Sequence, residues 1–148
     1  MHYEHLVEIN HPGLPQLALL TRQQLWQGLL LRVEQPGLFL PHLDRAHCEW
    51  QAPTTLKREL VFGSVLISDQ VQLIPKEQLD IAITAPAEHA GSLLVIRIEE
   101  PEPERLFLRF SYSTRLEDEE AIEYVKSAYR DADIDSVRIM RQWLAEQH

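Results

Sequence analysis

The chain has 148 residues, enough for one domain with a sizeable core, and its 14 basic and 23 acidic residues give a formal net charge of −9. Such a surface repels nucleic-acid backbones and anionic membranes unless a basic patch interrupts it, and no Lys/Arg cluster does. No apolar run approaches the roughly 20 residues of a bilayer crossing, the first residues lack the blocks of a secretory signal, and Cys48 is the lone cysteine, so a cytoplasmic protein folding as one domain over residues 1–148 is expected.

In chain order, Tyr3, His5, Val7 and Ile9 alternate with Glu4, Leu6 and Glu8, a period of two that predicts a strand. His11-Pro12-Gly13 stops it, because proline donates no ladder hydrogen bond and glycine admits a turn. A short helical segment is expected around Leu14–Leu20. Thr21 to Val33 then reads as a helix. Thr21 can cap it, Gln24 completes a capping box, and Leu25, Trp26, Leu29, Leu30 and Val33 form an apolar stripe. Gly28 inside this helix costs about 1 kcal/mol relative to alanine, which predicts a neighbour packed close against it. Gln35-Pro36-Gly37 ends the element.

Six strands are expected next, at His47–Ala52, Leu56–Phe62, Val65–Leu73, Gln78–Thr84, Ser92–Ile98 and Leu106–Ser113. The connections between them are short, so successive strands should pair antiparallel as a meander. The strand Val65–Leu73 loses its alternation near Asp69, where a bulge or break is expected. The acidic run Glu99 to Glu104 reads as a solvated hairpin loop, and Glu117 to Glu120 as the start of a helix whose dipole favours negative charge.

From Asp118 to Gln147 there is neither glycine nor proline, and Ile122, Val125, Tyr129, Ala132, Ser136, Ile139, Met140 and Trp143 recur at three- and four-residue steps. A helix of that length runs roughly 45 Å, long enough to cross a whole domain. Ala132 and Ser136 are small residues in mid-stripe and would leave room above a sheet. The predicted class is α+β: a curved antiparallel sheet of about seven strands whose concave face is covered by the long C-terminal helix.

That order is similar to the helix-grip fold of START-like (SRPBCC, Bet v 1-like) domains. At residue level the chain resembles the AtaL-like group of that superfamily, through Ile9-Asn10-His11-Pro12, the block Leu20-Thr21-Arg22-Gln23-Gln24-Leu25-Trp26-Gln27-Gly28-Leu29, Pro36 to Pro41, and Arg58 to Gly63. The resemblance implies a cavity between sheet and long helix. Such cavities hold lipids, sterols, plant hormones or polyketides, and some members catalyse cyclisation. It implies no particular catalytic residue and no cofactor.

The residues themselves offer little established chemistry. The seven histidines are scattered and none has the paired spacing of a zinc site, while neighbouring strand residues His47 and Cys48 point to opposite faces; no metal is expected. Neither a nucleophile elbow nor a phosphate-binding glycine loop occurs. Polar residues in apolar phases remain. Arg58 shares a strand face with Leu56, Leu60 and Phe62, so it is either a clamp for a ligand's carboxylate or carbonyl, or half of a structural ion pair. Tyr112 lies in phase with Leu106, Leu108 and Phe110, and Tyr129 on the helix stripe. Both are pocket hydroxyls or satisfied core residues. His5 carries the same ambiguity with a proton-transfer role, whereas Trp26 and Trp143 read as packing anchors.

Three functions follow. The first is a binding module for an apolar or amphipathic small molecule, its cavity lined by Phe62, Phe110, Tyr112 and Tyr129 with Arg58 orienting a polar end. The second is a cyclase- or dehydratase-like enzyme shuttling protons through His5, Tyr112 or Arg58. The third is a protein-interaction domain with a filled core.

Overall fold

The computed structural model describes residues 1–13 and 18–147. Strand β1 (His2–Glu8) is followed by helix α1 (Arg22–Glu34), a 3₁₀ turn (Pro36–Leu38), six strands and helix α2 (Glu119–Glu146). The six strands are β2 (Arg45–Ala52), β3 (Thr55–Phe62), β4 (Val65–Ile74), β5 (Gln78–Ala85), β6 (Leu93–Glu102) and β7 (Arg105–Ser113). All pair antiparallel in the order β1-β7-β6-β5-β4-β3-β2, so β1 closes on the last strand while α1 carries the chain to the opposite edge. This is the helix-grip architecture expected of the sequence.

Local chemistry sets the ends of the elements. Thr21 caps α1 in a full capping box: Thr21 Oγ1 accepts from Gln24 N at 3.0 Å, and Gln24 Oε1 accepts from Thr21 N at 2.9 Å. Asp118 caps α2 by accepting from Ala121 N, with Glu119 and Glu120 in the first turn where the helix dipole favours them. Asn10, fully buried, stitches the two sides of the segment between β1 and α1. Its amide donates to the carbonyls of Leu20 and Glu104 and its Oδ1 accepts from Leu20 N. Arg141 of α2 reinforces this by donating to the carbonyls of Ala18 and Ile9. Of the helix expected at Leu14–Leu20, residues 14–17 lie outside the described residues and Ala18–Leu20 is not helical.

The anticipated irregularity near Asp69 is a register slip between Ser68–Ala85 and Asp69–Ile83, which leaves one extra residue, Thr84, on β5. The acidic run forms the β6–β7 hairpin. Its strands continue past a second irregularity between Glu99 and Glu102, further than expected because Glu102 still pairs with Arg105.

One part of the concave face is closed by helices. Leu25, Leu29 and Val33 of α1 join Val137 and Met140 of α2 over Leu79, Ile96, Ile98, Leu106, Leu108 and Phe110. Each such side chain is worth about 1.5–3 kcal/mol when fully buried. The two helices meet at Gly28, where a Cβ would lie 3.1 Å from Met140 Cγ, so the predicted close neighbour is the second helix.

The inner face of α2 differs from the expected stripe. It consists of Asp133, Ser136, Val137, Met140 and Leu144, while Ala132 is exposed. Ser136 and Met140 of the expected stripe are buried, and Tyr129, Ile139 and Trp143 pack partly buried against the core. The departure is at Ala132, because the residue that fills the inward slot after Tyr129 is a carboxylate, Asp133.

Candidate functional site

Away from the helix–helix contact, a partly open cavity of about 400 Å³ lies between the sheet, the end of α1 with the turn after it, and Tyr129 of α2. The end of α1 and the turn after it contribute Arg32, Pro36, Phe39 and Leu40. Strands β3 and β4 supply Arg58, Leu60, Phe62, Ile67 and Asp69, and β5 supplies Ile81 and Ile83. Tyr112 of β7 and Tyr129 of α2 form another wall. The walls are thus mostly apolar, with the charged groups on α1, β3 and β4 and hydroxyls from Ser92, Tyr112, Thr114 and Tyr129.

Two polar centres meet these walls, the second only through Tyr112. In the first, Arg58 Nε donates to Asp69 Oδ1 at 2.9 Å and Nη2 to Asp69 Oδ2 at 2.7 Å. Arg58 Nη1 also donates to the Val33 carbonyl at 3.0 Å. Arg58 and Asp69 face each other directly across β3 and β4, so the meander itself fixes the fork. Arg58 is therefore half of a buried ion pair, and the donors not engaged there are what it can offer the cavity.

The second centre joins β7, α2 and β1. Tyr112 Oη donates to Asp133 Oδ1 at 2.5 Å. His5 Nδ1 lies 3.5 Å from Asp133 Oδ2, and neither atom has a hydrogen-bond partner among the described residues. Tyr112 and Tyr129 stack with ring centroids 3.9 Å apart and planes within 7°, and Tyr3 flanks Tyr112 on its other side at 6.3 Å. Burial, against the weaker opposing effect of the Tyr112 hydrogen bond, pushes the Asp133 carboxyl up to about 6. Burial first, and the Asp133 charge second, push the hydroxyls of Tyr112 and Tyr129 up. Cys48, opposite Arg58 on β2, is likewise raised by burial, which keeps it a thiol at neutral pH.

Arg32 stands between the two centres. Its Nε is sealed from solvent without a hydrogen-bond partner among the described residues, and none of their ion pairs includes it. Burial lowers its guanidinium from the ordinary value, an effect that Tyr112, Asp133 and Asp69 oppose and Arg58 reinforces.

Of the residues singled out from sequence, Arg58, Phe62, Tyr112 and Tyr129 come together around the cavity. Phe110 does not line it: fully buried, it belongs to the core between Leu108 and Tyr112. His5 lies behind Tyr112 against Asp133. Sequence reasoning missed Arg32, Asp69 and Asp133. A signal existed for each, since Arg32 is in helical phase with Leu25, Gly28 and Leu29, Asp69 in strand phase with Val71 and Leu73, and Asp133 in phase with Ser136, Val137 and Met140. Among the described residues, no group of three or more His, Cys, Asp or Glu is arranged to hold a metal ion. No described helix is long and apolar enough to cross a membrane.

Solved structures share this architecture at low sequence identity. The di-domain ARO/CYC StfQ from the steffimycin biosynthetic pathway superposes with a TM-score of 0.74 at 11% identity; 99% of this chain covers 51% of that one, about half its length. The Zhui aromatase/cyclase from Streptomyces sp. R1128 gives 0.63 at 13% identity, with 99% and 94% covered. Ara h 8.0201 gives 0.62 at 9% identity, with 99% and 98% covered. At these identities the likeness is one of fold. No curated protein matches the sequence significantly. The family described as acetylaranotin biosynthesis cluster protein L, AtaL, matches residues 6–147, nearly the whole length, and the chain belongs to it.

Proposed function

We propose that this domain holds an amphipathic small molecule of polyketide or other aromatic type in the cavity between its sheet and α2. One observation carries this reading: an apolar space of about 400 Å³ with a few convergent polar groups, within the size range of small-molecule sites. The biosynthesis-cluster description of the family, and the ARO/CYC and aromatase/cyclase names of two structural neighbours, support an aromatic or polyketide ligand over a simple lipid. A filled interaction core has no support from a space of that volume. Native mass spectrometry of freshly purified protein, with thermal shifts on adding hydroxylated polycyclic aromatics, fatty acids and sterols, tests the proposal. A retained small-molecule mass or a clear rise in Tm with the aromatic set is expected. Unliganded protein whose Tm no member moves would remove the reading.

A second reading is favoured by the Tyr112–Asp133–His5 array. A carboxylate titrating at about 6 is matched to proton transfer near neutral pH. In that reading a C–H bond next to a ligand carbonyl breaks and its proton passes to Tyr112 Oη as the Tyr112 proton passes to Asp133. The C–H electron pair moves into the carbonyl as an enolate. The relay predicts that Tyr112→Phe keeps ligand binding and loses solvent-deuterium exchange into the ligand. Exchange unchanged by that substitution would leave binding as the sole role.

A further inference from the structure

Resting on the reading of the cavity as a binding site, we propose that Arg32 anchors an ionised oxygen acid, so that the ligand is an organic anion with an apolar body. Asp69 is fully engaged by Arg58 through two hydrogen bonds, so that pair is neutral and closed. Asp133 takes its hydrogen bond from a neutral hydroxyl, that of Tyr112, and not from a cation. Arg32 lines the same cavity, and its Nε has no hydrogen-bond partner among the described residues.

Arg32 is half-buried, with its Nε sealed from solvent. Drawing an unpaired guanidinium even partly out of water is costly, and arginine does not shed its proton in proteins. Its place in the last turn of α1 lets it interact favourably with the helix dipole, but that effect is far smaller than the cost of desolvating a cation. A bound oxyanion would both pair the charge and match the planar fork of donors. The remaining surface decides the body of the ligand: Phe39, Phe62, Ile81 and Ile83 offer apolar contacts and no charge. A neutral sterol-like molecule would leave Arg32 unmatched, and a di-anion would meet Asp69 in the cavity wall.

The test separates this inference from the reading it rests on. Uptake of Nile red, a neutral apolar dye, reports the cavity. Displacement of the dye by 2-naphthoate and by 2-naphthamide, which have the same ring and differ in charge, reports the anchor. The expected result is dye uptake with naphthoate binding about tenfold or more tighter than naphthamide, as a charge-assisted hydrogen bond provides. Arg32→Met should bring the two affinities together while retaining the dye, and Arg32→Lys should keep a reduced preference for the acid. Equal affinities in the unaltered protein, or a preference that survives in Arg32→Met, would overturn the anchor and leave the cavity standing. A role for Arg32 in packing alone would move Tm in Arg32→Met without moving the acid-to-amide ratio. Absence of binding by all three compounds would overturn both.

Discussion

The two polar centres on the concave face solve the same physical problem differently. On β3 and β4 a buried cation meets a buried anion in a two-point fork, and a backbone carbonyl takes a further donor. Between β7, α2 and β1 a buried anion meets a tyrosine hydroxyl and stands 3.5 Å from a histidine nitrogen, while the nearby cation, Arg32, forms no ion pair among the described residues. The first arrangement satisfies itself. Among the described residues the second leaves a carboxylate oxygen and an imidazole nitrogen unsatisfied behind Tyr112, and a guanidinium nitrogen of Arg32 unsatisfied in the cavity wall. Sealed groups of that kind cluster at functional sites. The difference separates structural charge from charge available for chemistry, although both centres are built on one sheet.

The largest expected effect tests the closed centre. Arg58→Met removes the cation and strands Asp69, which is 2% exposed, so a loss of about 3–5 kcal/mol in chemical denaturation is expected. The double variant Arg58→Met with Asp69→Leu removes both charges and should recover most of that loss. If the single substitution were mild, Arg58 would not be acting chiefly as half of an ion pair, and the contrast between the centres would collapse.

How far these features were legible follows from what each residue contributes to periodicity. The strands, the capping box at Thr21 and the long helix announce themselves through alternation, turn residues and spacing. Gly28 announces a close approach but not its partner, which is Met140 on an element more than a hundred residues later. Arg58 stood out because three apolar neighbours shared its face. Asp133 did not, because the apolar stripe of α2 can be drawn through Ala132 just as easily. Pairing across strands is what links Arg58 to Asp69, and its register is set by the one turn between β3 and β4, at Gly63 and Ser64. The cavity is a property of volume left over after packing, and no local pattern encodes it.

The next effect has the opposite sign. Folding raises the Asp133 carboxyl from its ordinary 3.8 to about 6, so the folded state holds a proton that the unfolded chain releases between those values. Stability must then fall as pH rises from about 4 to about 6 and remain lowered above that. The cost at neutral pH is about 3 kcal/mol by linkage. Asp133→Asn keeps an acceptor for Tyr112 and cannot ionise. A gain of about 2 kcal/mol at pH 7, shrinking towards zero near pH 4, is therefore expected from denaturation at both values. A loss at pH 7 would mean that Asp133 is held as a favourable charge after all, like Asp69.

The smallest effect sharpens the same point at the tyrosine. Tyr112→Phe deletes one hydroxyl from a packed face, keeps the ring stacked on Tyr129, and takes the donor away from Asp133 Oδ1. A hydrogen bond to a charged acceptor contributes about 1.5–3 kcal/mol, and its loss is softened here because Asp133 can respond by holding a proton. A destabilisation of about 1 kcal/mol at pH 7 is therefore expected. The Tyr112 hydrogen bond lowers the Asp133 carboxyl against the larger effect of burial, so removing it should push the pH at which stability levels off above about 6. Arg58 and Asp69 touch neither residue in these hydrogen bonds and should leave that midpoint where it was. Following the midpoint through denaturation at closely spaced pH values separates the two centres. A midpoint that moves with Tyr112→Phe assigns the titration to Asp133, and one that stays fixed assigns it elsewhere and dissolves the distinction between an open and a closed centre.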